Sequence, residues 1–267
     1  RQIRKVLLKM KWYLKIILKI LISCLPVPYS FWKSLGIFRH GKMDSCEYAI
    51  KIFELHFYRA FPEKPPAKFT MLELGPGDSI ASAIIGFAYG ASFTYLVDVG
   101  NYVSKDINFY KKLISALSIR GLKTPNISNI NSIEEILNLC NGIYLTDGLS
   151  SLNSIKDSSI DFVWSHSVLE HVRKYQFHEM QKELRRILKS NGLASHSIDF
   201  QDHLDYGLNN LRFSEQIWES TLFANSGFYT NRIPALKMHS IFEEIGFKIK
   251  RKSLGKWPRL PTKRSSM

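Results

Sequence analysis

The chain has 267 residues, 45% of them apolar and 13% aromatic, which excludes a disordered or fibrous polymer and leaves room for one sizeable core with appendages. A net charge of +14 points to an anionic partner. Three cysteines, Cys24, Cys46 and Cys140, show neither metal-ligand spacing nor an even framework, which excludes a disulfide scaffold and fits a reducing, cytoplasmic setting.

Residues 1–43 hold ten basic and no acidic side chains; after Glu244 there are eight more basic residues and no acid. The 19 basic residues left between stand against all 23 acidic ones, so only the ends are cationic. On a helical wheel, residues 1–23 gather all seven of their basic side chains on one half, with Ile3, Leu7, Leu14, Ile17 and Leu21 among those on the other. This pattern predicts a basic amphipathic helix over 1–25 lying on an anionic membrane surface. Lys15 and Lys19 interrupt the apolar stretch, which argues against a spanning helix or a secretory leader. The aliphatic face favours lipid over nucleic acid, and its competing use is packing against the protein body. Leu25-Pro-Val-Pro28 ends this element and opens a connector and cap helix over 26–66, the helix running from Asp44 or Ser45 to about Ala60. His40 to Met43 and His56 stand beside it as candidate border residues of a site.

Then comes Met71-Leu-Glu73-Leu74-Gly75-Pro76-Gly77-Asp78-Ser79, a strand running into a glycine turn, and, one helix later, Tyr95-Leu-Val-Asp98. The acid follows Gly77 by 21 residues, the spacing of a nucleotide-binding βαβ unit whose acid takes ribose hydroxyls. The third glycine of a dinucleotide fingerprint is replaced by Ile80, and no basic residue stands near the loop for a pyrophosphate. Glu73 and Asp78 instead suit a ligand carrying an ammonium and a sulfonium. Helices are predicted over Asp106–Leu117 and Ile133–Leu139. They are followed by Tyr144-Leu-Thr-Asp147-Gly148, by Ile160 to His166 with Ser165 and Glu170-His171 after it, and by a helix from Glu179 to Leu188. Asn191-Gly192 is expected to stop that helix before a strand from Leu193 to Ile198.

From Phe69 to Ile249 these motifs resemble, in order, the class I S-adenosylmethionine-dependent methyltransferases. The resemblance implies an α/β, Rossmann-like doubly wound sheet over 67–267, here with an N-terminal amphipathic helix and helical insertions. It also implies S-adenosyl-L-methionine as cofactor, held by Glu73, Leu74, Gly75, Pro76, Gly77, Asp98, Asp147, Gly148 and Ser165. Asp147 meets the adenine amine in relatives. Phe247–Ser253 is the expected sixth strand, and the family's seventh is expected to be missing.

Methyl transfer to a hydroxyl needs alignment and a base, for which His171, His166 and His203 are candidates. The insertion after the fifth strand, Phe200–Asn231, is rich in aromatic and hydrogen-bonding groups suited to a sugar, and offers Asp202, Asp205, Tyr206, Trp218, Tyr229 and, just beyond it, Arg232. Asp199, Asp202, His203 and Asp205 are also an alternative divalent-metal set, although solvated loop charges are the reading preferred, with no metal. The expected function is O-methylation of a sugar or lipid-linked glycan precursor at the membrane surface. The rivals are a lipid or quinone head group and a non-catalytic scaffold; oligomeric state is left open.

Overall fold

A computed structural model describes residues 11–23, 25, 27, 43–63, 65–126, 130–205 and 207–261. The expected helix over residues 1–10, the stretch His40–Lys42 and the candidate Tyr206 lie outside the described residues. The chain divides into two compact units. A sheet unit comprises residues 39–168 and 182–197; a helical unit comprises 1–38, 169–181 and 198–267.

The sheet unit is built on five parallel strands: β1 (Phe69–Leu74), β2 (Ala91–Val97), β3 (Gly142–Leu145), β4 (Ile160–His166) and β5 (Leu188–Ser197), in the order β3-β2-β1-β4-β5. Interior parallel strands are covered on both faces and therefore read as nearly continuous apolar runs. β1 and β4 do so, and Glu73 stands out as the buried acid within β1. Helix α2 (Cys46–Ala60) lays Ile50, Phe53 and Phe57 against Phe69, Phe162 and Trp164, and α3 (Ala81–Ala88) is buried along nearly its whole length. Ser45 occupies the N-cap of α2 without a side-chain bond. Helices α4 (Ile107–Ile119) and α5 (Ile133–Leu139) add Leu113, Leu117 and Ile136 to the same core. Asp106 caps α4 by accepting from Asn108 N, and Ser132 caps α5 by accepting from Glu135 N. A short α6 (Leu149–Asn153) follows β3.

Two sequence expectations change. Helix α7 (Lys174–Ile187) runs directly into β5 at Leu188, so Asn191-Gly192 lies inside the strand rather than stopping the helix. The pairing of β5 with β4 shifts register between Ile160 and Phe162. A Cβ on Gly192 would stand 2.8 Å from Leu188 Cδ1 and 3.0 Å from Ile160 O, so the glycine serves a close approach within the sheet. Residues 247–253 form no strand; among the described residues β5 is the last strand and one edge of the sheet.

In the helical unit, α1 (Trp12–Ser23) places Ile16 against Leu204, Trp218, Ala224, Phe228 and Tyr229. The sequence wheel puts its lysines outward, whereas the structure turns two of them in. Lys15 Nζ donates to Leu204 O at 2.9 Å and pairs with Asp205 at 3.1 Å; Lys19 Nζ donates to His203 O and Gly227 O. The carbonyls satisfy cations that the aliphatic stems carry inward. Burial, reinforced by Lys15, lowers Lys19 to about 8. Leu14, Ile17 and Leu21 consequently face outward at 42%, 55% and 59% exposure, an apolar stripe at helical spacing. No helix among the described residues is long and apolar enough to cross a membrane. A 3-10 turn (Asn209–Arg212), α8 (Glu215–Trp218), α9 (Thr221–Ala224) and α10 (Ala235–Glu244) complete the unit.

Candidate active site

The carboxyl ends of β1, β2 and β3 assemble the predicted cofactor residues within the sheet unit. Gly75 and Gly77 adopt left-handed φ values of 71° and 63°, so the chain reverses tightly after Leu74. Gly75 N donates to Val97 O, Gly77 N to Asp98 Oδ2 at 3.0 Å, and Gly148 N to Asp98 O at 2.8 Å. Asp98 Oδ1 accepts from Val99 N at 2.7 Å. Through both oxygens this acid ties the glycine turn to the end of β2. Leu74 and Pro76 are buried supports, and Asp147 is exposed after β3, its N–H held by Ser151 Oγ. A Cβ on Gly75 would stand 2.5 Å from Val168 Cγ2, so the packing of Val168 also keeps this residue small.

Glu73 is the chemically unusual member. It is 3% exposed, its Oε2 has no hydrogen-bond partner, and burial, with Asp98 adding to it, pushes it up to about 8. A carboxylate is held in such a place at a cost unless a positive group meets it. Tyr102, which the sequence reading missed, lies across Gly100, where a Cβ would stand 2.9 Å from its ring; Tyr144 OH fixes that turn by donating to Gly100 O. Burial and then Asp98 raise the Tyr102 phenol.

Ser165 is wholly buried with its hydroxyl hydrogen-bonded to His196 Nδ1 at 2.8 Å, which makes it a strut between β4 and β5 rather than a cofactor ligand. His166 joins a second network: its Nδ1 is 3.1 Å from His56 Nε2, and His56 Nδ1 is 2.8 Å from Ser195 Oγ. Burial, followed by neighbouring positive groups, lowers His56 to about 3; burial lowers His166 and takes His196 to about 4.

The other histidines belong to the helical unit. The His171 and His203 ring centroids are 4.7 Å apart. His171 Nδ1 donates to Tyr229 O at 2.7 Å, which fixes the proton on Nδ1 and the basic lone pair on Nε2. Burial and the Lys19 charge lower His203. Glu170 is buried, accepts from Asp199 N through Oε1, has no partner for Oε2, and is raised to about 8 by burial.

Most of the expected acceptor groups serve the fold instead. Asp202 is fully buried and accepts from Leu204 N, Asp205 N, Asn209 N and Asn209 Nδ2, so its loop role leaves it unavailable to an acceptor or a metal. Trp218 is 0% exposed and donates Nε1–H to Thr230 O. Tyr229 is buried, with its hydroxyl on Glu219. Arg232 lies 5.4 Å over the Trp218 ring and donates to Asn210 O, Phe213 O and Glu215. Asp205 keeps an exposed carboxylate while pairing with Lys15. Aromatic and polar richness here marks a core with internal latches.

Residues 127–195, from just before α5 through most of β5, match the methyltransferase-domain family. No curated protein matches the chain. Among solved structures, it is similar to a chain in the complex of the Haloferax volcanii methyltransferase activator Trm112 with a methyltransferase, at 16% identity over 74% of this chain and 71% of that one, TM-score 0.41. It is also similar to Haemonchus contortus phosphoethanolamine N-methyltransferase 2, at 14% identity over 73% of this chain and 37% of that one, TM-score 0.42. A third is the CurJ carbon methyltransferase, at 13% identity over 77% and 49%, TM-score 0.45. The chain thus spans well under half the length of the nematode enzyme. The parallel sheet of order β3-β2-β1-β4-β5 and the glycine turn with its acid make a Rossmann-like α/β fold, and residues 127–195 within it carry the methyltransferase-domain match.

Proposed function

We propose that the chain is a cytoplasmic, peripherally membrane-bound S-adenosylmethionine-dependent methyltransferase that O-methylates a sugar or a lipid-linked polysaccharide precursor. The observation that carries the cofactor reading is Glu73, buried with its Oε2 unpartnered two residues before the first of two left-handed glycines, with Asp98 accepting a hydrogen bond from the second. These residues fit a cationic adenosine ligand: Glu73 for positive charge, Asp98 for a ribose diol, and the exposed Asp147 for an adenine amine. When bound, S-adenosyl-L-methionine supplies a methyl group on a sulfonium, a leaving group that needs no activation. The protein is left with alignment and the acceptor's proton. For that proton the helical unit offers the Glu170–His171–His203 cluster. The outward stripe of Leu14, Ile17 and Leu21, together with the eight basic residues of 1–43 other than Lys15 and Lys19, supports an anionic bilayer as the docking surface.

Incubation of the full chain with methyl-labelled cofactor and lipid-linked glycan extracts tests this reading. Label is expected in the sugar fraction. Label in quinone or phospholipid head groups would replace the acceptor, and cofactor binding without transfer to any fraction would leave a scaffold.

A further inference from the structure

We propose that Glu170, His171 and His203 form a site for a divalent transition-metal ion, zinc by preference, whose open coordination positions hold an oxygen of the methyl acceptor. One ligand atom from each residue lies within 4.8 Å of the others. Three atoms so spaced fit within a circle of radius about 2.8 Å, and zinc bonds to nitrogen or oxygen are about 2.0–2.2 Å, so a contraction of at most about 0.8 Å per ligand closes the set.

Two independent features single this cluster out. Glu170 is 2% exposed, and among the described residues no donor reaches its Oε2. His171 donates Nδ1–H to the Tyr229 carbonyl, the outer hydrogen bond that fixes the tautomer of a metal-ligating imidazole and directs Nε2 to the ion. The surroundings hold the donors in place. Asn231 Nδ2 donates to Leu169 O and Val172 O, and its N–H to Glu170 O, which clamps the turn that carries Glu170 and His171. Asp202 closes the loop that carries His203 through four accepted bonds, and Lys19 donates to the His203 carbonyl. Asp199 adds a carboxylate 3.9 Å from His203 Nε2.

Two imidazoles and one carboxylate suit zinc, whereas magnesium and calcium favour all-oxygen sets. Three protein ligands leave a position open, as in catalytic and unlike structural zinc sites. The ion site stands on the cluster alone; its use in holding an acceptor oxygen rests on the methyltransferase reading.

The test strips the full chain with chelator and titrates it with zinc chloride by calorimetry and elemental analysis, and with cobalt(II) chloride by visible absorption. One ion per chain is expected, with cobalt bands of a low-coordinate site. Outer-shell losses already cost about 10–100-fold in metal affinity, so His203→Ala and Glu170→Gln should each lose at least about a hundredfold. Both variants should keep the parent's thermal midpoint within a few degrees and its affinity for S-adenosylhomocysteine, which shows that they fold. Substoichiometric binding, or binding undiminished in both variants, overturns the site. Full occupancy with turnover unchanged after chelation overturns its acceptor role. Absence of methyl transfer in the fully loaded enzyme counts against the methyltransferase reading, while the metal count still supports the site.

Discussion

With Glu73 as the proposed contact for the cofactor's positive charge, cofactor affinity should depend on pH in a definite direction. Its carboxyl titrates at about 8 because it is buried with one oxygen unpartnered. If a cationic ligand binds the ionised form, affinity follows the ionised fraction of the cofactor-free protein. With that pKa the fraction is about 1% at pH 6 and about a quarter at pH 7.5, so affinity should rise about twentyfold across this interval, each full pH unit being worth about 1.4 kcal/mol. Calorimetry in buffers of different ionisation enthalpy should show one proton released on binding at pH 6.5. Glu73→Gln, which keeps the shape and removes the titration, should flatten the profile to within about twofold. A second consequence has a definite sign. Between the unfolded value of 4.5 and the folded value of about 8, the folded carboxyl holds a proton that the unfolded chain has lost, so stability falls as pH rises through this window. The raised pKa corresponds to about 5 kcal/mol. Glu170 adds a similar slope, so Glu73→Gln removes only its own share. A parent with pH-independent affinity and no proton release would refute the placing of positive charge at Glu73.

The buried imidazoles act in the opposite sense: His196, at about 4 folded against 6.5 unfolded, should remove about 3 kcal/mol of stability as pH falls from 6.5 to 4. His196→Phe should lose this acid sensitivity relative to the parent in denaturant titrations; equal slopes would contradict its neutral burial. Trp218→Ala should cost about 3–5 kcal/mol as a core truncation, while Trp218→Phe should leave KM for the acceptor unchanged. A raised KM in Trp218→Phe at constant Tm would restore it to the acceptor surface. Combined Leu14→Gln, Ile17→Gln and Leu21→Gln substitutions should abolish most binding to anionic liposomes at a stability cost of about 0.5 kcal/mol or less per site; undiminished binding would remove the stripe from the membrane contact.

What was legible in the sequence is what local geometry decides. The run from Phe69 to Asp98 could be read residue by residue because a covered parallel strand, a left-handed glycine turn and a strand-end acid each leave a short-range mark. The helices over 46–60, 107–119 and 133–139 followed from apolar periodicity with polar caps. The errors share a different cause. Asn191-Gly192 has the composition of a helix stop, but its conformation is set by pairing with Ile160 and Phe162 across the sheet. Lys15 and Lys19 segregate correctly on a wheel, yet turn inward toward carbonyl acceptors that lie 184 to 208 residues away. Trp218, Tyr229 and Arg232 look like a sugar platform until Thr230, Glu219 and the Asn210 and Phe213 carbonyls are seen to satisfy them. A buried carboxyl oxygen left without a partner, as at Glu73 and Glu170, exists only in three dimensions and leaves no local mark in the sequence. Asp202 and Glu170 are both buried acids of the helical unit. Asp202 is saturated by four donors and closes a loop, while Glu170 retains an unpartnered oxygen beside two imidazoles, which is why the ion site is proposed at the second and not at the first.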